Sequence, residues 1–252
     1  MQNYKDIADK IFIPFNETGQ WHPEFEGYEE GTEVKQADVI LLGYPLLYEM
    51  SKETRKNDLN IYEKVTPGGP AMTWGMFAIG WLEIGNIQKA KEIFERQFLN
   101  NAGPFNIWTE VADGNGAVNF ITGMGGFLQS VIFGYGGFRI LPNQLAFNCN
   151  LPPDTNQLNI YGLDYLGGSL DFNFTEFDMM IQLTKKGSVD LKIVLSNGQT
   201  HDLRVGQTLQ LQRQKASIEK MERKTKTTTR PNYNTYGNDC QKVSVHCHIY
   251  KT

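Results

Sequence analysis

The chain has 252 residues, 24 Lys and Arg against 28 Asp and Glu, and a formal charge of −4; its residues are 40% apolar and 12% aromatic. That length holds one large domain or two small ones, with enough apolar material for a substantial core. The weak acidic balance argues against a nucleic-acid partner, no stretch has the long apolar run of a membrane span, and the mixed opening MQNYKDIADKIFIPF lacks the layout of a signal peptide.

Three widely separated cysteines, Cys149, Cys240 and Cys247, fit a reducing compartment better than a disulfide scaffold, so the expected location is cytoplasmic. Taken in chain order, the first informative segment is the loop from Asn16 to Gln36. Within it and just beyond, WHPEFEGYEEGTEVKQADV (Trp21–Val39) gathers five glutamates (Glu24, Glu26, Glu29, Glu30, Glu33) and aromatic rings around His22. It ends on Lys35 and Gln36 as an apolar run, Ala37–Tyr48, begins; that run predicts a buried helix. Lys52–Val65 predicts a second helix, with Ser51 as its cap and Leu59, Tyr62 and Val65 on one face.

Ala71–Ile84 is apolar almost all round and predicts a helix buried on every side. Asn86–Asn101 instead carries one stripe, Ile87, Ala90, Ile93, Phe94 and Phe98, with charges facing away and Asn86 as the cap. Ala117–Tyr135 is apolar again, and Gly123, Gly125 and Gly126 would let neighbouring helices approach closely. Alternation of buried and surface helices is the pattern of two concentric rings. The longer loops all enter buried helices, so they gather at one end, where helix N-termini carry partial positive charge and unpaired N–H groups.

From Phe138 the spacing changes to period two, with turn residues between the runs and a hairpin signal at Asn197-Gly198. This predicts a small antiparallel β domain over residues 138–211. Residues 212–252 are polar and basic, expected to be a disordered or divergent tail. The closing KVSVHCHIYKT alternates like a strand, and His246-Cys247-His248 lacks the second cluster that a metal site needs. No metal and no cofactor is expected.

The third entering loop, FNIWTEVADGNGAVNF (Phe105–Phe120), sets Trp108 beside Glu110 and Asp113, followed by Gly114 and Gly116. Aromatic faces and carboxylates are what a sugar site uses, and hydrolysis with inversion needs two carboxyl groups, one to protonate the leaving oxygen and one to activate water. From the residues alone, Glu110 is either such a carboxylate or a cap on the next turn. Lys35 is either a ligand or a solvated flank, Gln36 a ligand or an early helix residue, and His22 a ligand or a hydrogen-bonded loop histidine. Their convergence on one barrel end brings the site reading level with the bland one.

HPEFEGYEEGTEVKQADVILLGYPL, GGPAMTWGMFAIGW and WTEVADGNGAVNFITGMGGFLQSVIFGYGGFRI resemble glycoside hydrolase family 65, in its acid-trehalase-like branch, over residues 1–210. The resemblance implies a mainly α chain with a β appendage: the C-terminal half of an (α/α)6 barrel over residues 1–137, then the β domain. It implies an inverting α-glucosidase acting on a glucosyl-linked saccharide or glycopeptide, such as the glucosylgalactosyl-hydroxylysine of collagen. Lys35 and Gln36 would bind the terminal glucose, with Trp108 and His22 beside them, and Glu110 would be the general base. TPGGPAMTW lacks the Ser and His of the family's phosphate segment, which disfavours a disaccharide phosphorylase. The family's general acid and Trp-Asp pair lie upstream of KQADV, and residues 1–34 reproduce neither. The chain is therefore expected to be part of a longer enzyme and inactive alone, or else a non-catalytic carbohydrate-binding or scaffold remnant.

Overall fold

The structure is a computed structural model that describes residues 2–68, 71–112, 114, 116–222 and 246–249. Chain packing separates a helical unit ending at Gly134 from a β unit beginning at Tyr135. The mainly α expectation is corrected to a mixed chain, since strands hold about as many residues as α-helices.

The helical unit contains α1 (Gln2–Ala8), α2 (Lys52–Val65), α3 (Ala71–Glu83), α4 (Ile87–Arg96) and α5 (Ile121–Gln129). The caps read from the sequence are present: Ser51 accepts from the Thr54 amide, and Asn86 from the Lys89 amide. α3 is buried along its length, with Trp74, Phe77, Ala78, Ile79 and Trp81 all inside. α4 buries Ala90, Ile93 and Phe94, while Ile87 and Phe98 at the ends of its stripe are exposed. α3 and α5 meet backbone to backbone, because a Cβ on Gly75 would lie 2.5 Å from the Gly126 carbonyl oxygen and one on Gly126 would lie 3.2 Å from the Met72 Cα.

The buried helix expected over Ala37–Tyr48 does not form. Only a 3-10 turn, Val39–Leu42, appears there. Pro45 has no amide to donate and disfavours helical backbone at Tyr44. At Gly43 the chain packs on Arg55, whose Cζ would be 2.3 Å from a Cβ at that position.

The β unit holds β3 (Arg139–Leu141), β4 (Gln144–Phe147), β5 (Gln157–Tyr165), β6 (Gly168–Thr175), β7 (Asp178–Lys185), β8 (Leu191–Leu195), β9 (Thr200–Asp202), β10 (Thr208–Gln212), β11 (Ala216–Lys220) and β12 (His246–Ile249); β1 (Asn101–Ala102) and β2 (Ile107–Trp108) belong to the helical unit. They form two five-stranded antiparallel sheets, ordered β10-β7-β6-β5-β12 and β3-β4-β11-β8-β9. Phe172 of the first sheet lies 5.0 Å from Phe138, just before β3, and 5.4 Å from Phe147 of the second sheet, ring centre to ring centre, and stacks at 5.8 Å on Phe174. The Asn197-Gly198 hairpin joins β8 to β9 with Gly198 at φ +83°.

The β unit extends past residue 211. β11 lies where a tail was expected, and it pairs with both β4 and β8. Its apolar content is small, but Ala216 and Ile218 are buried. Two well-placed core side chains and two ladders of backbone hydrogen bonds suffice for a central strand. Residues 223–245 of the expected tail lie outside the described residues, as do the side chains of His246, Cys247 and His248. The 246–249 backbone pairs with β5. No helix among the described residues is long and apolar enough to cross a membrane.

Candidate active site

Glu110 sits on a backbone held from two sides. β1 pairs with β2, placing Asn101 opposite Trp108. The Glu110 amide then donates to Ala117 O at 2.9 Å, so residues 110–117 close on themselves. Asn100, buried at the end of α4's 3-10 extension, donates through Nδ2 to Thr109 O at 3.1 Å and Glu110 O at 3.0 Å. Thr109 Oγ1 donates to Val111 O at 2.7 Å. The main chain is therefore rigidly satisfied, while the carboxylate faces outward.

Two groups hold that carboxylate. The Ala117 amide donates to Oε2 at 3.2 Å, and Lys35 Nζ lies 3.1 Å from Oε1. These contacts, the Ala117 amide first, hold the Glu110 carboxyl below the usual carboxylate range, against a smaller opposing effect of burial. Glu110 is therefore ionised at neutral pH. Gly116 makes the Ala117 contact possible: its φ is +77°, and a Cβ there would lie 3.0 Å from Oε2.

Lys35 comes from the first loop, whose Val34 amide donates to Val65 O at the end of α2 at 2.9 Å. The next residue, Gln36, donates through Nε2 to Asp38 Oδ1 at 3.2 Å. Lys35, Gln36 and Glu110 all keep surface to solvent.

The other two expected ligands lie elsewhere. His22 is 4% exposed, and both oxygens of buried Asp58 engage it, Oδ2 at Nδ1 (2.9 Å) and Oδ1 at the backbone amide (2.8 Å). Its ring packs against Phe15 and Tyr48. Trp108 is 7% exposed and lies 5.3 Å from Phe127 and 6.5 Å from Phe98 by ring centres. In this structure neither presents an open face to a sugar; the rings pack the interior behind the loops. Asp113 lies outside the described residues. Among those residues no group of three His, Cys, Asp or Glu is placed to hold a metal.

No family model matches the chain. It is 51% identical over 219 residues to protein-glucosylgalactosylhydroxylysine glucosidase of Danio rerio, covering 85% of this chain and 33% of the relative. By sequence, the chain is similar to this glucosidase over most of its own length. It spans about a third of the length of the curated relatives it matches. A kojibiose hydrolase of Mucilaginibacter mallensis is 37% identical over 144 residues, covering 56% of this chain and 21% of that protein. In fold, a putative kojibiose phosphorylase from human microbiome matches with a TM-score of 0.62 at 16% identity, over 84% of this chain and 32% of its own.

The groups that hold the loops carry weak sequence signals. Asn100 reads as the fraying end of an amphipathic helix, yet its amide fixes the Glu110 backbone. Asp58 reads as one of several charges on α2, yet it is fully buried. Its position one residue before Leu59, in a helix with an inward stripe, was the available signal.

Proposed function

We propose that this chain supplies the glucose-binding and base-bearing part of an inverting α-glucosidase. The observation that carries the reading is the Lys35–Glu110 contact, 3.1 Å across a separation of 75 residues. The helical unit is read as the C-terminal half of an (α/α)6 barrel, supported by the buried α3 beside the one-faced α4, although α5 exposes Ile121 and Leu128, and by the fold likeness. The substrate is read as a glucosyl-linked saccharide or glycopeptide of the glucosylgalactosyl-hydroxylysine type, supported by the names of the relatives. A cytoplasmic location rests on the sparse cysteines; burial pushes the Cys149 thiol up to about 12, so it is no ready partner for a disulfide.

In this mechanism Lys35 and Gln36 bind hydroxyls of the terminal glucose. The Glu110 carboxylate takes a proton from water, whose oxygen attacks the anomeric carbon as the bond to the leaving oxygen breaks. That oxygen takes a proton from a carboxylic acid supplied from outside residues 1–252. Water enters opposite the leaving group, so an α-linked substrate gives β-glucose.

The test is to place residues 1–252 in a polypeptide of the relatives' full length and follow the released glucose by NMR in the first seconds, before mutarotation. β-Glucose without added phosphate is expected. Initial α-glucose, or release that depends on phosphate, would overturn the reading.

A further inference from the structure

The turn that follows Lys35 and Gln36 is clamped at both ends. At its far side, buried Arg55 donates through Nη1 to Ile40 O, while its Nε and Nη2 both bond Glu83 Oε2, at 3.1 and 2.8 Å. At its start stands Asp38, whose own side chain makes no capping bond. The acceptor comes instead from Glu24, fourteen residues earlier, whose Oε1 takes the Asp38 amide at 3.1 Å. That substitution leaves the Asp38 carboxylate free to accept from Gln36 Nε2 at 3.2 Å.

Glu24 differs from the other glutamates of its loop. Glu26, Glu29, Glu30 and Glu33 are exposed, whereas Glu24 is partly buried and its Oε2 has no hydrogen-bond partner among the described residues. Burial, then the charge of Asp38, pushes its carboxyl above the usual range, against the Asp38 and Val39 amides. Its charge is felt by Tyr28 of the same loop and Tyr62 of α2, whose hydroxyls it helps to hold above their usual range after burial. A carboxyl with one desolvated oxygen is an expensive way to cap a short turn. The arrangement makes sense where what matters is the placement of the segment it caps.

We propose that Glu24 is a positioning residue that fixes Gln36, and with it Lys35, for the sugar, acting through the backbone and side chain of Asp38. The proposal rests on the reading of Lys35 and Gln36 as glucose ligands. It predicts that Glu24→Ala frees the turn, whereas Glu24→Gln, which still offers an oxygen to the Asp38 amide, restores it.

Two measurements on the 252-residue chain decide the matter: hydrogen exchange at the Asp38 amide, and binding of glucose by calorimetry or ligand-observed NMR. Expected is exchange at Asp38 faster by roughly fivefold or more in Glu24→Ala, about the worth of one hydrogen bond, with a parallel loss of glucose affinity. Both should return in Glu24→Gln, and a variant that merely misfolds would lower the number of binding sites without changing the affinity of the remainder. Unchanged exchange at Asp38 overturns the proposal whatever the sugar does, and so does faster exchange with unchanged glucose affinity. If the unsubstituted chain and Lys35→Ala alike show no glucose binding, residues 1–252 do not hold the sugar through Lys35 and Gln36 by themselves, and the proposal falls with that assignment; the full-length test above decides the functional reading separately.

Discussion

Lys35 Nζ and Glu110 Oε1 lie 3.1 Å apart, with the lysine side chain 77% and the glutamate side chain 22% exposed. A pair this open contributes little to stability. Its consequence lies in where the two ends of the pair are placed and in the ionisation state of the carboxylate.

Glu110→Gln keeps the size of the side chain and removes its basicity. In a full-length enzyme carrying this chain, kcat should fall by about 10²–10⁴-fold, the usual contribution of a positioned base. The affinity for glucose should change far less. Steady-state kinetics with a glucosyl saccharide measure both, and an unchanged kcat would exclude Glu110 as the base.

Lys35→Ala removes one of the two groups that hold the Glu110 carboxyl down, while the Ala117 amide remains. The carboxyl should rise toward its ordinary value, and the acid limb of the pH–rate profile should move to higher pH. The sign for stability follows from the same depression. A carboxyl lower in the folded than in the unfolded state stabilises the fold above the unfolded value, and that contribution fades as the pH falls through the folded value. Thermal melts of the parent should therefore lose a small increment in that acid window, and melts of Lys35→Ala a smaller one.

Gly116→Ala combines two faults: the left-handed backbone at φ +77° and a methyl 3.0 Å from Glu110 Oε2. A cost of about 1 kcal/mol or more from the backbone alone is expected, read as a lower denaturation midpoint. Turnover should fall further than this stability loss explains, since the carboxylate must shift. Gly114→Ala, also at positive φ (+85°) but with open space around it, is the control: similar strain with turnover kept.

Gly75→Ala should destabilise the helical unit by about 1–3 kcal/mol, the range for overpacking. The added methyl meets the Gly126 carbonyl oxygen at 2.5 Å, a backbone atom that cannot rotate away. Urea unfolding monitored at the buried tryptophans Trp74 and Trp81 tests this, and an unchanged midpoint would mean that α3 and α5 pack less closely than described.

Much of this was legible in the sequence where one physical signal dominated. Ser51 and Asn86 were readable as caps because a side chain and an amide three residues on suffice to make one. α3 was readable because nothing polar interrupts its surface. The run Ala37–Tyr48 is hydrophobic enough to suggest a helix, but Gly43 and Pro45 break the backbone whatever the side chains prefer. At the site, Lys35 and Glu110 stood in recognisable motifs, but Asn100, Asp58 and Glu24 act through contacts 9 to 36 residues away in sequence. Local pattern cannot show such contacts. His22 and Trp108 have the chemistry that suits a sugar, but their burial depends on Asp58 and Phe127, which only the fold brings near.

The place of β11 has a temporal consequence. β4 and β8 do not pair with each other; each finds its partner in residues 216–220. A ribosome that has delivered every residue through Asp202 has made four of that sheet's five strands, but only in two separate hairpins, β3 with β4 and β8 with β9. Until residues 216–220 emerge, Leu145 and Ile193 have no Ile218 to bridge them, so this sheet closes only after both hairpins are made, in a single step that joins both halves.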